Sequence, residues 1–180
     1  MNFCSQCGDR VTLRVPDGDQ LARHVCQRCG MIHYLNPKLV VGCIAEWRDQ
    51  ILLCRRSISP RYGWWTLPAG FMENGESTSQ AAIRETLEEA CARVHIDQFF
   101  SLVNIPHINQ VHLFYRARLI DGRFAPGLET LETALFTEET LPWQSLAFQS
   151  VTLCLKAFFS DRRCGRFSFH EDDLLPTEAP

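Results

Sequence analysis

The chain has 180 residues, 46% of them hydrophobic and 22% charged, the make-up of a globular protein with one main domain and room for a small module. Its formal net charge of −3 gives no general attraction to nucleic acid or to an anionic membrane surface. There is no apolar run of about 18 residues to span a bilayer, and the opening stretch MNFCSQCGDR has no apolar signal-peptide core, so the expectation is a cytoplasmic protein without a membrane partner.

In chain order the first feature is a set of four cysteines, Cys4-x-x-Cys7 and Cys26-x-x-Cys29, with 18 residues between the pairs and a glycine after each, Gly8 and Gly30. Two such knuckles supply four thiolates for a closed, tetrahedral structural zinc site. A segment of 36 residues cannot bury enough core to fold alone, so the metal would hold it. Two disulfides or four free thiols are the alternative; the odd total of nine cysteines disfavours it. Residues 1–36 carry four Arg and three Asp, a weak footprint for phosphate binding, so the ribbon is expected to be structural and no nucleic-acid partner is expected. Cys43, Cys54, Cys91, Cys154 and Cys164 read as small core residues.

Asn36-Pro37-Lys38 reads as the linker into a second domain, residues 37–170. Leu39–Trp47 and Ile51–Arg56 read as two strands joined by a turn, and Trp64–Pro68 as a short strand. Phe99–Ile105 and Val111–Ile120 follow, the second alternating Leu113, Tyr115, Ala117 and Leu119 against His112, Phe114, Arg116 and Arg118. Ala134–Phe136 is a further strand, Ala147–Ser160 has helical periodicity, and Phe167–Phe169 fits an edge strand. Residues 171–180 read as a flexible acidic tail. A mixed sheet with two main helices is an α+β fold.

The chemistry concentrates in Leu67–Val94, LPAGFMENGESTSQAAIRETLEEACARV. Ser77 and Gln80 fit a capping box, which predicts a helix from Ser77 with Ile83, Leu87, Ala90/Cys91 and Val94 on its buried face. Glu85, Glu88 and Glu89 share another face. Like charges at that spacing repel by about 0.2–0.5 kcal/mol per pair, and hard carboxylates without His or Cys nearby suit Mg²⁺ or Mn²⁺. A solvated acidic face is the plainer reading of such charges. Here the acids follow a glycine-containing loop with a further Glu at fixed spacing: Gly70, five residues, Glu76, seven residues, Arg84-Glu85, two residues, Glu88-Glu89. This arrangement resembles the Nudix box. Thr86 stands in an apolar slot of that pattern, Cys91 replaces its last glycine and Ala92 its last apolar residue.

The resemblance reaches beyond the box. CSQCG, CQRCG, NPKLVVGC, ILLCRR, WTLPAGFMENGES, FAPGLETLE and SLAF are similar to plant plastid members of the family that split FAD and ADP-ribose. The NADH pyrophosphatases share the ribbon-plus-box layout but carry Gln-Pro-Trp-Pro-Phe-Pro-x-Ser where this chain has Leu141-Pro142-Trp143-Gln144-Ser145-Leu146-Ala147-Phe148. The resemblance implies an α/β/α sandwich and hydrolysis of a nucleoside diphosphate joined to a second group, FAD or ADP-ribose. It also implies catalytic Mg²⁺ or Mn²⁺ held by Glu85, Glu88, Glu89 and the Gly70 carbonyl, with Glu76 and Arg84 as a supporting pair. Glu132, four residues before Phe136, matches an acid that reaches back to the metals; Glu88 and Glu132 are both candidates for the general base. Related enzymes are often dimers, so a homodimer acting on a small dinucleotide-type substrate is expected. Trp64, Trp65, Phe71 and Phe148 offer faces for an adenine or flavin ring, or else are core residues, and Arg55 and Arg56 are placed to meet a diphosphate. An NADH pyrophosphatase or an enzyme that removes an NAD-type cap from RNA is the alternative within the family, and a nucleotide-sensing module that uses the ribbon to recruit a partner is the reading from another class; the intact carboxylate set favours the enzyme.

Overall fold

A computed structural model describes residues 1–176, and in it the chain divides between Asn36 and Pro37 into two units. In the first, β1 (Val11–Arg14), β2 (Arg23–Cys26) and β3 (Ile32–His33) form an antiparallel sheet in that order. Each cysteine pair bounds a tight turn, closed by Gly8 N–H donating to Cys4 O at 3.0 Å and Gly30 N–H donating to Cys26 O at 3.1 Å. Both glycines have φ of +74°, a conformation that penalises any Cβ, which is why a glycine follows each pair.

The second unit is an eight-stranded mixed sheet between two helices. Its main path is β10 (Thr130–Phe136), β5 (Gln50–Arg56), β4 (Lys38–Trp47), β9 (Gln110–Leu119), β8 (Val94–Ile105) and β11 (His170–Asp173). Two short strands complete it: β6 (Trp65–Thr66) on β5 and β7 (Ala69–Phe71) on β4. β4 and β9 run parallel, as do β8 and β11; β4/β5, β5/β10 and β8/β9 are antiparallel. Side-chain alternation sorts the core into two layers. Val41, Cys43, Ala45, Leu52 and Cys54 face α1 (Thr78–Ala90), while Ile44, Ile51, Leu53 and Phe114 face α2 (Gln149–Cys164). The expected alternation of β9 is present, with Leu113, Ala117 and Leu119 on the α1 side and Phe114 opposite.

Several expectations are corrected. α1 begins at the Ser77 cap with both reciprocal hydrogen bonds to Gln80, yet of the helix positions expected on its buried face only Ala90 is buried. Ala81, Ala82, Glu85, Thr86, Glu89 and Ala90 are buried, whereas Ile83 and Leu87 are 39% and 50% exposed and Val94 belongs to β8. Small alanines let the helix backbone approach the sheet, and longer aliphatic side chains would hold it off. Thr86 fits the apolar slot because its hydroxyl donates to Ala82 O at 2.7 Å and needs no other partner. Cys91 caps the helix in the left-handed region at φ 46° and is exposed, as is Cys164; only Cys43, Cys54 and Cys154 of the five are core residues. Phe167 packs into the core against Phe100 and Phe158, and the edge strand lies after it, at β11. The segment read as a tail is therefore a paired strand through Asp173; residues 177–180 lie outside the described residues.

Candidate active site

The carboxylates are gathered by Arg84. Its Nε and Nη2 donate to the two oxygens of Glu76 at 3.0 and 2.8 Å, Nη1 to Glu85 at 2.7 Å and Glu88 at 3.1 Å, and Nη2 also to Phe71 O at 3.1 Å. The Arg84 hydrogen bonds hold the Glu76 carboxyl down at about 2, so the pair is charged at any physiological pH. Glu85 and Glu89 stand differently. Burial raises both, Glu89 to about 7; the Ala69 N–H donating to Glu89 at 3.0 Å pulls the other way. The neighbouring charges of Glu85 and Glu129 add to the rise at Glu89, and Arg56 opposes it.

Two glycines make this packing possible. A Cβ on Gly70 would stand 2.3 Å from a Glu85 carboxylate oxygen. A Cβ on Gly127 would fall 1.7 Å from Glu88 O. Gly127 N–H donates to Glu89 O at 3.0 Å and Ala125 N–H to Ala90 O at 2.8 Å, so the loop before β10 satisfies carbonyls that the helix end leaves open.

Gly70, Phe71, Arg84, Glu85, Glu88 and Glu89 line one cavity of about 1270 Å³, together with Arg56 and Phe148. The Arg56 guanidinium lies 5.1 Å over the Phe148 ring, and Lys38 Nζ 5.0 Å over Phe71. Four expected residues are elsewhere. Glu132 stands opposite Arg55 across the β10/β5 ladder, beyond a register shift at Thr130, and pairs with it at 3.5 Å on the surface. The acid that lines the cavity in its place is Glu129. Arg55 also donates to Gly63 O at 3.0 Å. Trp65 packs edge-on against Phe136 at 5.0 Å, and Trp64 lies under Arg61.

His112, which the sequence offers as a phosphate ligand or base or else as an ordinary histidine, lines the cavity with Gln110 and Ser150, which nothing in the sequence singled out. The His112 ring nitrogens bond Ser150 Oγ and Gln110 Oε1, each at 2.9 Å. Burial lowers this histidine to about 4, so it is neutral. The alternation of β9 places it with Phe114, on the face opposite the α1-facing residues Leu113 and Ala117.

The donor set fits a hard divalent cation. Glu89 is buried with one backbone donor and a proton that leaves only near pH 7, Glu85 lies next to it, and both open on a cavity. In the first unit, the Cys4, Cys7, Cys26 and Cys29 sulfurs lie within 4.8 Å of one another. Their Cys4–Cys29 and Cys7–Cys26 separations of 3.7 and 3.4 Å approach the roughly 3.8 Å edge of a tetrahedral tetrathiolate with bonds of about 2.3 Å. His33 Nε2 lies 3.4 Å from Cys4 Sγ, placed to support that ligand from outside.

The family model for the NUDIX domain matches residues 36–158 and the Nudix N-terminal zinc-ribbon model matches residues 2–35. The chain belongs to the Nudix family. A crystal structure of a NUDIX hydrolase from Nitrosomonas europaea is 50% identical, with TM-score 0.94 over 97% of this chain and 99% of that one. An ADP-ribose pyrophosphatase from Streptococcus suis is 25% identical, with TM-score 0.58 over 77% of this chain and all of that one. Among curated relatives, the NAD-capped RNA hydrolase NudC of Stutzerimonas stutzeri is 31% identical over 91% of this chain and 58% of its own length. An ADP-ribose pyrophosphatase of Methanocaldococcus jannaschii is 30% identical over 64% of this chain and 69% of its own length. The chain spans 49% to 60% of the length of the NudC relatives. No helix among the described residues is long and apolar enough to cross a membrane.

Proposed function

We propose that this Nudix hydrolase cleaves the diphosphate of a dinucleotide-type small molecule, with FAD and ADP-ribose as its substrates. The observation that carries the reading is a single cavity of about 1270 Å³ with buried carboxylates and, along the same wall, Phe71, Phe148 and Arg56. It exceeds the usual range of about 300–1,000 Å³ for small-molecule sites, as a substrate with two joined nucleoside-sized halves requires. The ADP-ribose pyrophosphatase relatives and the missing NADH motif point the same way.

Mg²⁺ or Mn²⁺ would be held by Glu85, Glu88, Glu89 and the Gly70 carbonyl, and zinc by Cys4, Cys7, Cys26 and Cys29. When bound, the catalytic cation supplies charge compensation for the diphosphate and a more acidic water. The protein's own groups do the rest. Arg84 fixes one oxygen of Glu85 and one of Glu88, and the Ala69 N–H fixes Glu89. Arg56, braced on Phe148, meets a phosphate oxygen, and Phe71 stacks on a base. Glu88 and Glu129, which line the cavity without deep burial, are the acceptors for the water proton.

The 31% identity to the NudC relatives favours a second reading, hydrolysis of an NAD-type RNA cap. A panel of FAD, ADP-ribose, NADH, NAD-capped RNA and a nucleoside triphosphate separates the two. The expected result is fastest turnover of FAD and ADP-ribose, FMN and AMP as products of FAD, and ¹⁸O from water on one phosphate only. Faster turnover of the capped RNA or the triphosphate overturns the proposal.

A further inference from the structure

The carboxylates occupy one side of the cavity; the last described residues of the chain build another. β11 lies parallel to β8 with Asp173 opposite Asn104. The Asn104 carboxamide donates to Asp173 Oδ1 at 2.8 Å, Leu174 N–H donates to Asn104 O at 2.8 Å, and a His107 ring nitrogen donates to Leu174 O at 3.2 Å. These bonds set the course of Leu174, Leu175 and Pro176, which line the cavity with Ile105 and Ile108. The result is an aliphatic wall.

Strand register gives its distance from the acids. Gly70 pairs with Val41, Val41 with Leu113, Leu113 with Leu102 and Leu102 with Glu171. β7, β4, β9, β8 and β11 thus lie side by side, and four steps of about 4.8 Å put Glu171 roughly 19 Å from the Gly70 backbone, with the strap starting three residues further along the chain. Val40 and His112 are paired between the two ends, and His112 is neutral with both nitrogens engaged. The arginines that line the cavity, Arg56, Arg61 and Arg84, come from β5, the loop after it and α1; β9, β8 and the strap add no Arg or Lys to the lining that could meet a further phosphate of a polynucleotide. Phe71 stands next to the acids and provides for one ring. A second apolar surface at that distance has no use for a substrate with a single ring.

Resting on the pyrophosphatase reading above, we propose that Leu174–Pro176 is the subsite for the second ring system of the substrate, the one FAD has and ADP-ribose lacks. By packing on that ring the strap sets the preference between the two. Asn104 is a positioning residue that acts through the strap.

The test compares wild type, Leu175→Asp, Leu175→Ile and Asn104→Ala as full chains with Mg²⁺. Leu175 is 68% exposed, so its replacement leaves the fold intact. Two quantities are read: the ratio of kcat/KM for FAD over ADP-ribose, and the Kd of FMN from flavin fluorescence. Leu175→Asp is expected to lower the ratio at least tenfold through KM for FAD and to weaken FMN binding at least tenfold. Asn104→Ala is expected to move both the same way by a smaller factor, and Leu175→Ile to restore both. An unchanged ratio, an equal loss on both substrates, or FMN binding that is absent or indifferent to Leu175 overturns the proposal. If wild type hydrolyses neither substrate, the pyrophosphatase assignment fails by itself, and FMN binding still decides the subsite.

Discussion

The Glu85 carboxylate fills the space that a side chain on Gly70 would need, lying 2.3–2.4 Å from the position of its Cβ. The group in the way is the far end of a flexible side chain, so Gly70→Ala displaces the carboxylate more readily than the backbone. The expected outcome is a kcat lower by roughly 10²-fold, the scale for losing one electrostatic stabiliser. The thermal midpoint should stay within about 3 °C, equivalent to about 1 kcal/mol in a chain of this size. Steady-state kinetics and a melting curve on the same preparation check both.

Glu89→Gln preserves volume and still accepts from the Ala69 N–H, but removes a charge from the cavity. kcat should fall by about two orders of magnitude or more at saturating Mg²⁺. Initial rates on every substrate of the panel test this; near-wild-type turnover would remove Glu89 from the metal-holding set.

His112 makes stability depend on pH. Burial holds it at about 4 in the folded chain, against about 6.5 when unfolded. As pH falls from 6.5 towards 4 the unfolded state takes a proton that the native state refuses, so stability is full above 6.5 and declines through that window. The decline is on the order of 3 kcal/mol at full amplitude. Glu89, raised to about 7, has the opposite slope between about 4.5 and 7, so the measurement is the difference between wild type and His112→Gln in denaturant midpoint from pH 4 to 8. That difference should shrink as the pH falls through 6.5; a pH-independent difference would contradict the burial argument.

Cys91 holds a left-handed conformation, φ 46° and ψ 29°, at the end of α1. Glycine adopts it without the Cβ penalty, so Cys91→Gly should raise stability by about 1 kcal/mol. Differential scanning calorimetry should record a rise of roughly 2–4 °C with activity unchanged.

The first unit should retain about one zinc per chain through purification. Cys26→Ser should lose it and expose residues 1–36 to proteolysis while the Nudix domain keeps its melting transition. Metal analysis with limited proteolysis checks this, and a Cys4–Cys7 or Cys26–Cys29 disulfide in freshly isolated protein would count against zinc.

What the sequence disclosed and what it hid have separate causes. The cap of α1 was legible because Ser77 and Gln80 act locally, and so were the thiolate cluster and the Gly70-to-Glu89 spacing. The buried face of α1 was misread because hydrophobicity ranked Ile83 and Leu87 above Ala81 and Ala82, whereas close approach to the sheet favours small side chains. Glu132 and Glu129 stand three residues apart, and a register shift at Thr130 that no local motif announces accompanies the change in position. The strap stayed hidden because its order comes from Asn104 and His107, some 70 positions away: the Asn104–Asp173 bond spans 69 residues and the His107–Leu174 bond 67.

β11 has a second consequence. It pairs with the Ser101–Asn104 part of β8, and the residues it leaves exposed are Glu171 and Asp173. Without it, Ser101–Asn104 would present unpaired peptide groups at the edge of the sheet, a template on which another chain can add. The two exposed carboxylates repel the same strand of a second molecule. Replacing Glu171 and Asp173 by Val should therefore show first as a loss of solubility on expression.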